Sequence, residues 1–180
     1  IEDGAAAVDR SEVGANDVVF GIATGGTTPF VHGAIARARV RGAKTAFLAC
    51  VPAEQIADQA DVSIRVLTGP EVITGSTRMK AGTATKMVLN RVTTIAMVRL
   101  GKVYQNLMVD VNTKANRKLV DRGTRILQTL PGLDRTAAGT LLEAADGRVK
   151  TALVMHARRV DRDAADGLLH AAGGELAEIL

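Results

Sequence analysis

The sequence predicts an α/β fold: a doubly wound parallel sheet in a three-layer arrangement, followed by a small C-terminal helical domain. In the first part of the chain, short apolar runs rich in β-branched residues alternate with segments of helical periodicity, as in parallel strands joined by crossover helices. In the last third, short amphipathic segments follow one another without a strand between them. Hydrophobic residues make up 47% of the 180 positions, which is typical of a globular protein.

Three apolar runs predict the strands of the sheet. After the first, apolar residues at helical spacing over residues 30–40 predict a helix, and Pro52 with Ala53 predicts the start of a shorter one after the second. Doubly wound sheets of this size usually contain about five strands. Further strands are therefore expected before Ile1, where the chain begins at IEDG without a methionine. The predicted strands are residues 18–23 (VVFGIA), 45–50 (TAFLAC) and 62–67 (VSIRVL).

The second half of the chain is predicted to be helical. Residues 76–100 have the pattern of one long helix ended by Gly101, and residues 111–129 have that of another, ended by Pro131 and Gly132. We expect a first domain over residues 1–130 and a small helical domain over residues 131–180. Shorter helices are predicted to start at Asp134, near Arg148, at Asp161 and at Gly174.

Charge and composition narrow the kinds of partner. The net charge is +4 and the isoelectric point is near 9.6, but the basic residues are dispersed, which argues against a nucleic-acid partner. The same charge suits a small phosphorylated ligand. The single cysteine, Cys50, and the lack of an apolar stretch of spanning length favour a cytoplasmic protein with no membrane partner.

The segment TGGTTP has the residues of a phosphate-binding loop. It lies where the first strand meets its helix, the position at which α/β sheets bind ligands. Gly25 and Gly26 let the backbone approach an oxyanion, and Thr24, Thr27 and Thr28 provide hydroxyl groups. The segment lacks the Gly-Lys-Ser ending of a nucleotide-binding P-loop. An ordinary strand-to-helix turn with a threonine cap is the alternative interpretation.

A second polar cluster precedes the predicted long helix. The segment GPEVITGSTRMKAGTATK, residues 69–86, places five polar side chains in a turn before the helix, namely Glu71, Ser76, Thr77, Arg78 and Lys80. Such a density of hydroxyl groups and cations at a helix start is unusual. Capping by a hydroxyl group, together with solvated surface charges, is the alternative.

These two segments, together with NLMVDV and with NRKL at residues 116–119, resemble the N-acetylmuramic acid 6-phosphate etherase family over nearly the whole chain. The GSTRMKAGTATK stretch is specific to these etherases and to the related glucokinase regulatory proteins. The resemblance implies a sugar isomerase (SIS) domain, a helical domain similar to a ubiquitin-associated fold, a homodimer, and no metal or organic cofactor. It also implies that water cleaves the lactyl ether of N-acetylmuramic acid 6-phosphate, giving N-acetylglucosamine 6-phosphate and D-lactate during peptidoglycan recycling.

The resemblance also implies roles for individual residues. The family's reaction opens the sugar ring, removes the proton beside the aldehyde carbon, expels lactate and adds water, with two glutamates moving the protons. One of these glutamates lies in a motif that Ile1-Glu2-Asp3 matches, so Glu2 is the predicted acid/base. The other has no counterpart in this chain, for which we expect little or no activity on its own. Residues 24–28 are expected to bind the phosphate, and the cluster at residues 76–80 to face the sugar.

Two departures from the family pattern affect the predicted site. Many relatives have Ser-Gly-Arg where this chain has GGT at residues 25–27. This change removes a cation and leaves the phosphate to hydroxyl groups, N–H groups and the cations of the second cluster. Many relatives also have Cys-Asn-Pro where this chain has CVP at residues 50–52, which removes a polar group near the strand end.

No metal site is predicted. His32, His156 and His170 lack the paired spacing of metal ligands. His32 follows a helix start and is interpreted as a packing or surface residue. Cys50 is interpreted as a structural cysteine at the end of a buried strand, and the methionines of the long helix as core or dimer interface.

Two other functions stay open from the sequence. A non-catalytic sugar-phosphate sensor, like the glucokinase regulatory proteins, would share the second cluster but would bind its ligand without cleaving it. An aldose–ketose isomerase would move similar protons on a phosphosugar but would release no acid. Release of lactate separates the etherase from both.

Overall fold

A computed structural model describes residues 1–180. They form two compact units, Ile1–Arg91 and Val92–Leu180. The first contains a parallel sheet, so the predicted α/β class is confirmed, and no helix in either unit is both long and apolar enough to cross a membrane. In chain order, the first unit contains α1 (Glu2–Arg10), β1 (Val18–Ile22), α2 (Pro29–Val40), β2 (Lys44–Ala49), β3 (Val62–Arg65) and the first part of α3 (Lys80–Arg99).

The sheet has three parallel strands in the order β1-β2-β3. Phe20 of β1 lies opposite Ala46, and Leu48 of β2 lies opposite Ile64 of β3. Every residue of β2 except the first is buried, which explains its continuous run of apolar and small side chains. The three predicted strands are confirmed, and their ends agree with the prediction to within two residues.

The helix α2 packs on the sheet. Its Ile35 lies in a buried cluster with Phe47 and Ala23. Gly21 of β1 permits this close approach, because a Cβ atom at that position would lie 2.7 Å from Cδ1 of Ile35. The helix begins with Pro29, whose fixed φ suits the first helical turn. The helix predicted over residues 30–40 is confirmed.

An additional helix, α1, packs on α2. It is absent from the sequence prediction because its segment contains few large apolar side chains. Three consecutive alanines favour the helix, and acidic residues in its first turn and Arg10 in its last suit the helix dipole. The contact with α2 is made through small residues, since a Cβ atom at Gly4 would lie 2.0 Å from the carbonyl oxygen of Phe30.

The short helix predicted at Pro52 and Ala53 is wrong. The chain makes a single turn there, in which the N–H groups of Gln55 and Ile56 lie 3.2 and 3.5 Å from the carbonyl oxygen of Pro52. Starting a helix orders several residues for one hydrogen bond, so an isolated turn does not extend without packing that supports it.

The second unit contains the end of α3, a two-stranded hairpin and four further helices. Its core is one buried cluster, with Leu127, Leu142, Val154 and Ala165 each from a different helix. The elements are β4 (Val103–Tyr104), β5 (Leu107–Met108), α4 (Arg117–Thr129), α5 (Arg135–Ala144), α6 (Val149–Arg158) and α7 (Arg162–Ala171), with 3-10 turns at Thr113–Ala115 and Leu176–Glu178.

Polar caps set several helix starts in this unit. The side chains of Asp134 and Asp161 each accept a hydrogen bond from an N–H three residues later, which confirms the predicted starts of α5 and α7. The start predicted near Arg148 is also confirmed. The helix predicted at Gly174 is wrong, because only a single 3-10 turn forms there.

Two long helices begin later than predicted. The start of α3 is Lys80 rather than residue 76, because a turn occupies the intervening residues. The start of α4 is Arg117 rather than residue 111, because the side chain of Asn116 caps the helix there. Before α4, the chain forms the hairpin of β4 and β5 and then the 3-10 turn at Thr113–Ala115. The two strands of the hairpin have two residues each, which is too short to give a sequence pattern.

The division into units differs in position from the predicted domain boundary. Leu127 of α4 belongs to the same buried cluster as Leu142 and Val154, so α4 packs with α5 and α6. The boundary between the two compact units lies between Arg91 and Val92, before α4 rather than after it. As an assignment of domains, residues 1–130 and 131–180 stay a prediction.

Candidate functional site

The loop between β1 and α2 lies at the carboxyl end of the sheet. The N–H of Cys50 donates to the carbonyl oxygen of Thr24 at 2.8 Å, which joins the loop to the end of β2. The N–H of Gly26 donates to the carbonyl oxygen of Ala23 at 2.8 Å and closes a tight turn. Gly26 is buried with φ of +79°, a backbone conformation that favours glycine. These hydrogen bonds place Thr24 and the turn that ends at Gly26 at the edge where α/β sheets bind ligands.

The donors of this loop are accessible. Gly25, Thr27 and Thr28 are exposed, and Thr24 is partly buried. Thr28 is the residue before α2, yet its side chain makes no capping hydrogen bond. Its hydroxyl group is therefore available at the positive end of the helix dipole, unlike that of the threonine-capped turn considered as the alternative.

His32, in α2, contacts the backbone of the loop at Gly26. Its Nε2 atom lies 2.6 Å from the carbonyl oxygen of Gly26, and its ring centre lies 5.3 Å from that of Phe47. The interpretation of His32 as a packing residue therefore covers only part of its role. The ring is partly buried and also makes a polar contact with the predicted phosphate loop.

An ion pair lies against Phe47. Nη2 of Arg65 lies 2.6 Å from a carboxylate oxygen of Asp58, and the two side chains are only 13% and 4% exposed. The guanidinium carbon lies 5.2 Å from the Phe47 ring centre. Burial opposes ionisation of Asp58, but hydrogen bonds from Ser63, the N–H of Ala60 and Arg65 outweigh it, so its pKa lies below the ordinary value. The pair is therefore charged at neutral pH.

Glu2 lies at the end of α1 that is nearest to this loop. A Cβ atom on Gly33 would lie only 2.1 Å from the carbonyl oxygen of Ile1, so the start of α1 contacts α2 at Gly33. At the other end of α1, Asp9 forms an ion pair with Arg37 at 2.8 Å. The two helices therefore run side by side in the same direction. The first turn of α1 lies beside the first half of α2, and Glu2 is exposed there.

Glu71 organises the second cluster. Its two carboxylate oxygens accept hydrogen bonds from the N–H groups of Lys80 at 2.9 Å and Ala81 at 3.0 Å. Glu71 thus caps α3 from a distance in sequence, so capping does not explain the hydroxyl groups of Ser76 and Thr77. These hydrogen bonds lower the pKa of the Glu71 carboxyl group below its ordinary value, and the one from Ala81 has the larger effect.

The predicted residues of the second cluster lie in the turn before α3, except Lys80, which is the first residue of the helix. Ser76 is partly buried, whereas Thr77, Arg78 and Lys80 are exposed. This turn follows β3 as the first loop follows β1, and parallel strands have their carboxyl ends on the same edge of a sheet. The hydrogen bonds that Glu71 accepts join the segment after β3 to the first residues of α3.

The cap at α3 leads to a pH prediction. Because the pKa of Glu71 is lowered on folding, its stabilising effect is present above the ordinary value of 4.5 and is lost as the pH falls through the lower folded-state value. We expect the Glu71 carboxyl carbon to titrate below pH 4.5 in an NMR titration. The amide protons of Lys80 and Ala81 should shift with the same midpoint. Amide shifts that do not follow the carboxyl group would contradict the cap.

The structure brings Glu2 and residues 24–28 to one end of the first unit. Neither His32 nor Glu71 is among the residues predicted for the site, because both bind backbone groups that only the folded chain brings near. No group of three or more His, Cys, Asp or Glu side chains is placed to hold a metal ion.

A parallel sheet whose first strand leads through a glycine-containing loop into a helix is typical of α/β domains that bind small ligands. Residues 1–95 match the family model described as SIS domain, and the chain belongs to this family. It is also similar to curated proteins named N-acetylmuramic acid 6-phosphate etherase, which confirms the resemblance inferred from the sequence. Those from Nostoc sp., Trichormus variabilis and Nostoc punctiforme are 59%, 58% and 59% identical to it.

These alignments differ in how much of each protein they cover. They include 98%, 98% and 94% of this chain, but only 57%, 57% and 54% of the three relatives. The chain therefore spans a little over half the length of the curated relatives that it matches.

Proposed function

We propose that the protein carrying this chain is an N-acetylmuramic acid 6-phosphate etherase, which releases D-lactate and N-acetylglucosamine 6-phosphate. The observation that carries the proposal is the fixed loop of residues 24–28 with Glu2 at the same end of the unit. A phosphate binds well to N–H and hydroxyl groups at a helix start. The names of the relatives favour the etherase over a sugar-phosphate sensor.

Each part of the site has a role in this reaction. The phosphate binds to the backbone and hydroxyl groups of residues 24–28. Ser76, Thr77, Arg78 and Lys80 contact the sugar, with the two cations balancing the charge of the phosphate and of the departing lactate. Glu2 acts as an acid/base beside the sugar, where a carboxylate moves protons during ring opening and lactate elimination. The reaction needs no metal or organic cofactor.

The direct test is D-lactate release from N-acetylmuramic acid 6-phosphate by the full-length protein. Lactate and N-acetylglucosamine 6-phosphate in equal amounts would support the etherase. Binding of the sugar phosphate without lactate release would favour the sensor, and conversion without acid release would favour an isomerase. The 180-residue chain, assayed beside the full-length protein, is expected to have little or no activity.

We further propose that the protein is a homodimer in which α3 of one copy contacts α3 of the other. Every residue from 91 to 100 is exposed, and large apolar side chains are among them, with Ile95 56% and Met97 47% exposed. An apolar helix surface of this kind is stabilised when a second copy covers it.

Replacement of Ile95 by glutamate tests this interface. We expect sedimentation to give a dimer for the unaltered protein and a monomer for Ile95→Glu, because the introduced charge would be buried without a partner. Val40→Glu is the control, since Val40 is also exposed, at 75%, but lies on α2. A dimer that persists in Ile95→Glu, or an equal loss in the control, would contradict the proposed interface.

Cellular setting and full architecture are part of the same proposal. A phosphorylated sugar does not cross a membrane unaided, which favours a cytoplasmic enzyme that recycles peptidoglycan amino sugars. The three-stranded sheet is proposed to belong to a larger doubly wound, three-layer sheet. The short helices α5, α6 and α7 are consistent with a domain similar to a ubiquitin-associated fold over residues 131–180.

A further inference from the structure

The carbonyl group of Gly26 is turned towards α2, where it meets His32. Nε2 of His32 lies 2.6 Å from the carbonyl oxygen. A carbonyl oxygen only accepts hydrogen bonds, so Nε2 carries a proton and donates it. This hydrogen bond links the loop directly to the helix that follows it.

The imidazole ring of His32 is itself held in place. Its centre lies 5.3 Å from that of Phe47, at an interplanar angle of 34°, and Phe47 is fully buried. Phe47 in turn contacts the guanidinium group of Arg65, which is paired with Asp58. A change in the orientation of the His32 ring would therefore disturb packed neighbours.

The position of the Gly26 carbonyl group determines where the next N–H points. The chain contains no cis peptide bond, and in a trans peptide group the C=O and N–H bonds point in opposite directions. Since the carbonyl group of Gly26 points at His32, the N–H of Thr27 points away from it. Thr27 is exposed and lies two residues before α2.

We propose that His32 is a positioning residue that directs the N–H of Thr27 towards the phosphate of the substrate. Glycine has the greatest backbone freedom of any residue, so nothing in Gly26 itself prevents rotation of the Gly26–Thr27 peptide group. Rotation by half a turn would present a carbonyl oxygen to the phosphate and repel it. The hydrogen bond from His32 holds the favourable orientation before the ligand binds. This inference rests on the proposed function only for the identity of the phosphorylated ligand.

Three substitutions at His32 separate the hydrogen bond from ring packing. Glutamine places an amide nitrogen the same number of bonds from the backbone as Nε2, whereas the shorter asparagine does not reach it. Phenylalanine keeps a ring against Phe47 but has no donor. In the full-length protein, we expect His32→Asn and His32→Phe to bind N-acetylglucosamine 6-phosphate and inorganic phosphate about two- to tenfold more weakly, the usual effect of one hydrogen bond. His32→Gln should bind both close to the level of the unaltered protein.

Calorimetric titration with these two probes gives the affinities, and assays with N-acetylmuramic acid 6-phosphate give KM and kcat separately. A positioning role predicts a higher KM with little change in kcat for the asparagine and phenylalanine variants. Unchanged affinity in these variants, or an equal loss in His32→Gln, would overturn the inference. Melting curves of all four proteins identify an effect that is only structural, because affinity would then fall with stability irrespective of the donor.

The same titrations distinguish this inference from the proposed activity. If the unaltered protein binds the sugar phosphate but releases no lactate, the etherase is wrong while the comparison of His32 variants still decides the role of the hydrogen bond. If the unaltered protein binds neither the sugar phosphate nor inorganic phosphate, the loop has no phosphate to position and the inference is overturned.

Discussion

Replacement of Glu2 by glutamine is expected to lower D-lactate release from N-acetylmuramic acid 6-phosphate by about 10²- to 10⁴-fold in the full-length protein, the range over which a general acid or base contributes. Glutamine has nearly the same shape as glutamate but cannot accept or deliver a proton. Binding of the sugar phosphate, measured by calorimetry, should change little because the proposed phosphate loop, residues 24–28, is unaltered. The expected loss is therefore confined to the chemical steps.

Asp3→Asn is the matched control for this experiment. Asp3 and Glu2 both lie in the first turn of α1 and both are exposed, so each substitution removes one negative charge from the same helix end. Only the first is expected to reduce lactate release strongly. Equal losses in the two variants would attribute the effect to charge near the helix start, and full activity in Glu2→Gln would exclude Glu2 as the acid/base.

Replacement of Gly33 by alanine is expected to lower the free energy of unfolding by about 1–3 kcal/mol, as insertion of an atom into a filled space does. The new Cβ atom would lie 2.1 Å from the carbonyl oxygen of Ile1, and this oxygen belongs to the backbone and cannot rotate away. The first turn of α1 must therefore move. Because Glu2 lies in that turn, we also expect slower lactate release.

Gly139→Ala is the control for this substitution. Gly139 is also within a helix, α5, but a Cβ atom there would have no neighbour within 4 Å. Alanine favours a helix over glycine by up to about 1 kcal/mol, so this variant should be as stable as the original protein or more stable. Chemical denaturation measures both changes. A Gly33→Ala protein as stable as Gly139→Ala would show that α1 does not pack against Gly33.

The sequence predicts those parts of the fold that depend on local patterns. The residues of β2 are a continuous apolar run because both faces of the strand are covered, and Asp134 and Asp161 indicate helix starts because their side chains bind the nearby N–H groups. The TGGTTP segment is predicted as the link between strand and helix for a similar reason, since Gly26 permits the tight turn and Pro29 suits the first helical turn.

The parts that the sequence does not predict depend on contacts between distant residues. The helix α1 packs through Gly4 against Phe30, and a glycine contact leaves no apolar periodicity to detect. Glu71 belongs to a polar cluster that the sequence does indicate, but no side-chain pattern identifies the backbone groups that Glu71 and His32 bind. The sequence therefore predicts which residues offer donors at the candidate site. The groups that hold those residues in place are recognised only from the structure.

The parallel arrangement of the first unit also affects how quickly the chain gains its structure. Pairing of Phe20 with Ala46 requires that the whole of α2 lie between them, and pairing of Leu48 with Ile64 closes another long connection. In the second unit, the short helices α4 to α7 each contact the next helix in sequence. Non-local pairing slows folding because loop-closure entropy is lost before the contacts form. The helical unit should therefore reach its native structure first during refolding, and residues 24–28 of the first unit should be ordered among the last.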